Sequence, residues 1–110
     1  MEKTVQIAML LDLYGGLLTE KQTEYLELYY GEDYSLTEIA ELHGITPQGV
    51  KDTIHRATGS LFDTEEKLGF LKKRMEVHAV MDAMELLLKD LDGPKSQEAL
   101  KQLSQLQEMI

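Results

Sequence analysis

Thr46, Gln48, Lys51, Asp52, His55 and Arg56 lie within the short stretch ITPQGVKDTIHRA. At 3.6 residues per turn, Gln48, Lys51, Asp52 and His55 fall on one side of a helix, with Val50, Ile54 and Ala57 on the other. The chemistry open to the polar side is recognition. A glutamine amide matches the donor and acceptor on an adenine edge, and a lysine reaches guanine or a phosphate. Arg56 flanks the helix and can hold a phosphate backbone. Asp52 repels phosphate unless it accepts from a cytosine amine. Thr46, Gln48, Lys51, Asp52, His55 and Arg56 are therefore the candidate DNA-contact residues. A polar outer face is also what any surface helix shows, so its meaning depends on the elements that position it.

Other chemistry is poorly served. Cysteine is absent, which excludes disulfides, thiolate metal sites and a cysteine nucleophile. His78 and Asp82 stand four apart, as metal ligands on one helix face can, but a plain surface pair is the simpler reading. Asp90-Leu91-Asp92-Gly93 opens like a calcium loop, yet its glycine comes too early and the later ligand spacing fails. No phosphate-binding glycine loop and no nucleophile–base arrangement occurs. The expectation is a protein without catalytic residues, metal or cofactor. Lys72, Lys73 and Arg74 form the one basic cluster, readable as extra backbone contacts or as a solvated helix face.

The elements that must position the polar face are helical throughout. Val5, Met9 and Leu13 recur at helical spacing, with Ala8, Leu10 and Leu17 widening the stripe, and Gly15-Gly16 ends this first helix. Thr19-Glu20-Lys21-Gln22 and Ser35-Leu36-Thr37-Glu38 are capping boxes that open two further helices. The first of these carries Tyr25, Leu26, Leu28, Tyr29 and Tyr30 and breaks at Gly31-Glu32-Asp33. The four tyrosines at 25, 29, 30 and 34 read as packing groups. Thr46 caps a helix that starts at Pro47, where a missing N–H costs nothing. From Ser60 to Asp90 an apolar line runs through Leu68, Leu71, Met75, Ala79, Val80, Met84, Leu87 and Leu91, with a break or kink expected near Leu68–Phe70. Asp92-Gly93-Pro94 stops it, and Ser96 caps a last helix.

Residues 36–55 meet the demands of a twenty-residue helix-turn-helix at several independent places. Ala40 is small where two helices approach. Gly44 stands at the turn, where a positive φ is favoured. Val50 packs the second helix on the first, and Ile39, Ile45 and Ile54 fill the core. His43 departs from the pattern, which asks for a large apolar residue; either Leu42 compensates or His43 lies half exposed. In such a unit the second helix enters the major groove with its N-terminal residues toward the base edges.

Charge opposes strong binding. The formal net charge is −9 over 110 residues. Residues 1–34 hold seven acids and two bases, residues 35–58 three and two, and the rest ten and seven. Affinity for DNA comes largely from counterion release, with a salt slope of about −0.9 per phosphate neutralised. Two or three cations then give a slope of only about −2 to −3 for one copy. A twofold dimer doubles the contacts and presents two half-sites. Apolar stripes at Leu68–Leu91 and Leu100–Ile110 exceed what one small core covers, which fits a homodimer. No apolar run reaches the roughly 18–20 residues that span a bilayer, and no signal-peptide cleavage site follows the first helix. The expected location is the cytoplasm.

The run LLTEKQTEYLELYYGEDYSLTEIAELHGITPQGVKDTIHRA resembles region 4 of bacterial sigma factors. More narrowly, it resembles the YlxM proteins of Gram-positive bacteria. Leu17-Leu18-Thr19, Lys21-Gln22, Tyr25, Leu28-Tyr29-Tyr30, Asp33-Tyr34-Ser35-Leu36, Glu38-Ile39-Ala40, Gly44, Gln48, Val50, Asp52, Ile54 and Arg56 carry the likeness. The likeness covers about the first half of the chain and implies an all-α fold. Together with the helical pattern of the remainder, the expectation is a sigma region 4-like helix-turn-helix bundle at residues 1–59, then a C-terminal packing or oligomerisation segment at 60–110 with a long helix and a short terminal helix. The likeness further implies double-stranded DNA as a partner and a regulatory role in the signal recognition particle pathway. The family has Ser-Arg before the recognition glutamine, where this chain has Thr46-Pro47. It often has Ala and Tyr in place of Gly49 and Lys51. Loss of that arginine removes one contact, which Lys51 partly restores. The rival reading is a protein-interaction module that binds a signal recognition particle component without DNA. It draws on the acidic surface and on the Met- and Leu-rich C-terminal half.

Overall fold

The computed structural model describes residues 1–110 as six α-helices with no strand. They are α1 (Lys3–Tyr14), α2 (Glu20–Leu26), α3 (Leu36–His43), α4 (Pro47–Leu68), α5 (Phe70–Lys89) and α6 (Pro94–Met109). A 3₁₀ turn at Gly15–Leu17 follows α1, and one π-helical turn at Glu27–Gly31 extends α2. The chain divides into two compact units, Met1–Gly69 and Phe70–Ile110. No helix is long and apolar enough to cross a membrane.

Local sequence sets the helix ends in the first unit. Both capping boxes form. Thr19 Oγ1 accepts from the Gln22 amide at 3.1 Å, and Gln22 Oε1 accepts from the Thr19 amide at 3.0 Å. Ser35 and Glu38 make the same reciprocal pair, each bond 3.0 Å. Each box satisfies two amides that a helix start leaves open, and such a cap contributes about 1 kcal/mol. At the other end of α3, Gly44 is left-handed (φ 67°, ψ 32°) and its amide donates to Ala40 O. The Ile45 amide reaches the same carbonyl at 3.1 Å. These bonds close the helix and turn the chain toward α4.

The core of the first unit draws Ile7, Leu10 and Tyr14 from α1, Tyr25 and Leu26 from α2, Ile39 and Ala40 from α3, and Val50, Ile54, Ala57 and Leu61 from α4. The expected α1 stripe is out of phase with this. Val5 and Leu17 are exposed, whereas Ile7, Leu10 and Tyr14 face inward. The helix is apolar on nearly every side, so its own pattern does not choose a face. Tertiary partners do: the Tyr14 hydroxyl donates to Glu65 Oε1 at 2.7 Å, tying α1 to the far half of α4.

His43 resolves to the half-exposed alternative. Leu42 is 61% exposed and compensates for nothing. The His43 imidazole instead lies against the Tyr25 ring, centroids 4.8 Å apart, with Nε2 3.4 Å from Glu24 Oε1. Tyr25 itself is fully buried and its hydroxyl has no hydrogen-bond partner. An unsatisfied buried hydroxyl costs about 1–3 kcal/mol. Tyr25→Phe keeps the ring contacts and removes that cost. It is expected to raise the stability of the first unit by about 1 kcal/mol, read as a higher urea midpoint at unchanged m-value. A lower midpoint would show that the hydroxyl is bonded, through water, to something the packing depends on.

The second unit is a pair of helices. α4 ends at Leu68 with Gly69 left-handed (φ 66°), its amide donating to Glu65 O at 2.8 Å. This is the break expected near Leu68–Phe70. α5 and α6 pack on each other, and Leu71, Met81 and Leu103 are their buried apolar residues. The last helix starts earlier than a Ser96 cap implies. Gly93 (φ 117°) precedes Pro94 at the first helical position, and Ser96 is buried inside the first turn. Its hydroxyl lies 2.9 Å from the Gly93 carbonyl and 3.1 Å from that of Leu91. Proline fixes the helix start because its φ is already helical, and the serine serves the incoming turn.

Candidate nucleic-acid interface

Three local devices position the N-terminus of α4. The Gly44 turn aims the chain, Pro47 begins the helix, and Thr46 Oγ1 accepts from the Gly49 amide at 3.1 Å. A Cβ at Gly49 would sit 3.3 Å from that same oxygen, so the absent side chain leaves room for the cap. α4 then buries Val50, Ile54 and Ala57 against α1, α2 and α3. With these fixed, the opposite side must face solvent. Thr46, Gln48, Lys51, Asp52, His55 and Arg56 are all exposed, and Thr53 lies at the margin with its hydroxyl on Gly49 O at 3.0 Å.

Within that face Gln48 Nε2 donates to Asp52 Oδ1 at 2.9 Å. The bond uses one of two amide hydrogens and leaves the glutamine oxygen free. The donor–acceptor pair that matches an adenine edge is therefore retained, and held in one orientation. Asp52 serves as the holder, a role that spacing alone did not reveal. Lys51 and Arg56 make no ion pair.

The surroundings are acidic. Residues 1–69 contain thirteen Asp and Glu against five Lys and Arg, and residues 70–110 contain seven against six. Nearly all of the net charge thus belongs to the unit that carries α4. The cluster Lys72, Lys73 and Arg74 belongs to the second unit, and Lys73 Nζ is 3.4 Å from Glu76 Oε2. His78 and Asp82 gather no third ligand, since no group of three or more His, Asp or Glu side chains is placed to hold a metal.

One feature of this face was not legible in the sequence. A cleft of about 190 Å³ beside α4 is lined by Lys51, Ile54, His55 and Thr58 of α4, Leu36 of α3, Tyr29 and Tyr30 of the π turn, and Lys3 of α1. Tyr29 and Tyr30 meet edge to face, centroids 5.0 Å apart. Burial, then the neighbouring Tyr29, push the Tyr30 phenol above its usual range. It stays a protonated hydroxyl, able to donate, at neutral pH.

A short α3, a glycine turn, a proline-started α4 with an exposed polar face and a covering α1–α2 pair make a helix-turn-helix bundle. The family profile described as "Putative helix-turn-helix protein, YlxM / p13 like" (UPF0122) matches residues 1–104. The chain belongs to this family. A UPF0122 protein of Desulforamulus reducens is 46% identical over 100 residues, which is 90% of this chain and 82% of the relative. One from Acetivibrio thermocellus is 43% identical over 113 aligned residues, covering all of this chain and 95% of the relative. One from Thermoanaerobacter sp. is 51% identical over 76 residues, 69% of this chain and 65% of that relative. The family description is of a helix-turn-helix protein and names no enzymatic activity.

Proposed function

We propose that this UPF0122 protein is a cytoplasmic DNA-binding regulator that lays the N-terminal half of α4 in the major groove and binds as a homodimer. The observation that carries the reading is the split of α4. Gln48, Lys51, Asp52, His55 and Arg56 are exposed while Val50, Ile54 and Ala57 are buried. Gln48 reads a base edge, Lys51 reads guanine or a phosphate, and Arg56 holds backbone. Thr46 and His55 flank these contacts. The setting proposed for it is the signal recognition particle pathway, which rests on the resemblance to YlxM proteins.

A second copy supplies what one acidic unit lacks. In the second unit Leu86 and Leu87 are each 69% exposed, beside exposed Met84 and Leu91. An apolar groove of about 390 Å³ runs along Met84, Leu87, Leu88, Leu103 and Leu106. Exposed apolar surface of this kind supports an interface between copies. The dimer is expected at tens of micromolar in analytical ultracentrifugation, and Leu87→Glu is expected to return it to monomer. A monomeric wild type would remove both the dimer and the paired half-sites.

The rival reading, a module that binds a signal recognition particle component without DNA, has one observation of its own. A groove of about 690 Å³ between α1 and the π turn is apolar at Ile7, Ala8, Leu11 and Leu26 and rimmed by Asp12, Glu27 and Glu32. That chemistry suits a basic amphipathic segment. Fluorescence anisotropy on a random-sequence duplex decides between the readings. DNA binding predicts affinity at low salt that falls as salt rises. No binding at low salt, together with saturable capture of purified signal recognition particle protein, would replace the first reading with the second.

A further inference from the structure

The cleft beside α4 is chemically unlike the unit that holds it. Its eight lining residues include Lys3, Lys51 and His55 and no carboxylate. Elsewhere the first unit carries thirteen carboxylates against only three further Lys and Arg side chains. Neither Lys3 nor Lys51 is ion-paired, although acids are abundant. Two lysines from helices far apart in sequence therefore line one concavity that no carboxylate of the protein lines. Thr58 spends its proton on His55 O at 3.0 Å, which leaves the Tyr29 and Tyr30 phenols as the hydroxyl donors of the lining.

We propose that this cleft is a seat for one phosphoryl group. Lys3 and Lys51 neutralise it, and the Tyr30 hydroxyl and the His55 imidazole line it as hydrogen-bond donors. This rests on the reading of α4 as a DNA-recognition helix and extends it. The ligand is a phosphodiester of the duplex backbone, and the N-terminal turn of α1 joins α4 as a second backbone contact. Lys3 then fixes register and adds affinity without reading sequence. Recruitment of α1 also explains how a unit this acidic gains a cation at its DNA face without adding one to α4.

The experiment compares wild type, Lys3→Gln and the control Lys67→Gln, which removes a lysine from the last turn of α4 outside the cleft. Duplex affinity is measured by anisotropy between 50 and 200 mM salt, values chosen to span about a fourfold range over which one phosphate contact changes affinity about 3.5-fold. The expected result is a slope smaller by about 0.9 per subunit in Lys3→Gln, with Lys67→Gln matching wild type and sequence preference unchanged in both. Equal slopes for Lys3→Gln and wild type would overturn the cleft while leaving DNA binding intact. Equal losses in both variants would also overturn it, since the effect would then be general charge. If wild type binds no duplex, the DNA reading fails, and titration with inorganic phosphate decides the cleft alone. Shifts of the His55 ring resonances in wild type but not in Lys3→Gln would keep it as a seat for a small phosphate. Their absence would end it.

Discussion

Ile39→Ala is expected to cost the first unit about 2–5 kcal/mol, the range for truncating a buried isoleucine. Ile39 is fully buried on α3 and helps hold α3 on α4. The loss has two parts: the transfer energy of the removed carbons, and the cavity left between helices that cannot close on it. At about 0.05–0.15 kcal/mol per residue, a unit of this size has roughly 3.5–10 kcal/mol in all, so one substitution removes a large share. Leu42→Ala, three residues on and 61% exposed, is the matched comparison and is expected to shift stability by less than about 0.5 kcal/mol. Urea unfolding of both variants checks the contrast. Similar losses in the two would mean that α3 packs through its other side, and the polar face assigned to α4 would then be wrong as well. DNA affinity at a temperature where Ile39→Ala is half unfolded should fall only in proportion to the folded fraction, since Ile39 touches no ligand.

What was legible in the sequence follows the reach of each signal. A capping box is a four-residue device, so Thr19–Gln22 and Ser35–Glu38 declare themselves and both form. Gly44 and Pro47 act within one turn, and the left-handed glycine and the helix start stand where they imply. The inward set Val50, Ile54 and Ala57 is visible because α4 has a strongly polar other side. α1 has no such side, and its buried face shows only in the tertiary packing, where Tyr14 bonds to Glu65, 51 residues along the chain. Ser96 misled for a related reason: a serine near a helix start has several uses, and Pro94 had already fixed the boundary. The cleft was wholly invisible. It joins Lys3, Tyr30 and Lys51 from three elements, and no local spacing encodes that meeting. The Gln48–Asp52 bond lies between these cases. Its four-residue spacing allows it, but only the side-chain placement shows that the two candidate readers hold each other.

Lys51→Glu is expected to have the largest effect on DNA binding. Lys51 is the one cation on the exposed face of α4 that also lines the cleft with Lys3. Its reversal removes the proposed phosphate contact and places a carboxylate beside Asp52, on a unit already dominated by acids. Loss of the contact lowers the salt slope by about 0.9 per subunit. The new repulsion adds to this, and a loss of about 1.4 kcal/mol per subunit, tenfold in affinity, is a conservative expectation. In a twofold dimer both subunits lose it, so affinity falls about a hundredfold. Lys51→Gln separates the two contributions: it should show the smaller slope without the repulsion and lose about tenfold in the dimer. Neither change touches the buried side of α4, so circular dichroism and the urea midpoint should match wild type. The order wild type, Lys51→Gln, Lys51→Glu is the one a phosphate at this position requires. An acidic docking surface for a basic partner would be strengthened by the same substitutions, so tighter capture of a basic partner by Lys51→Glu, with unchanged duplex binding, would turn the assignment of this face from nucleic acid to protein.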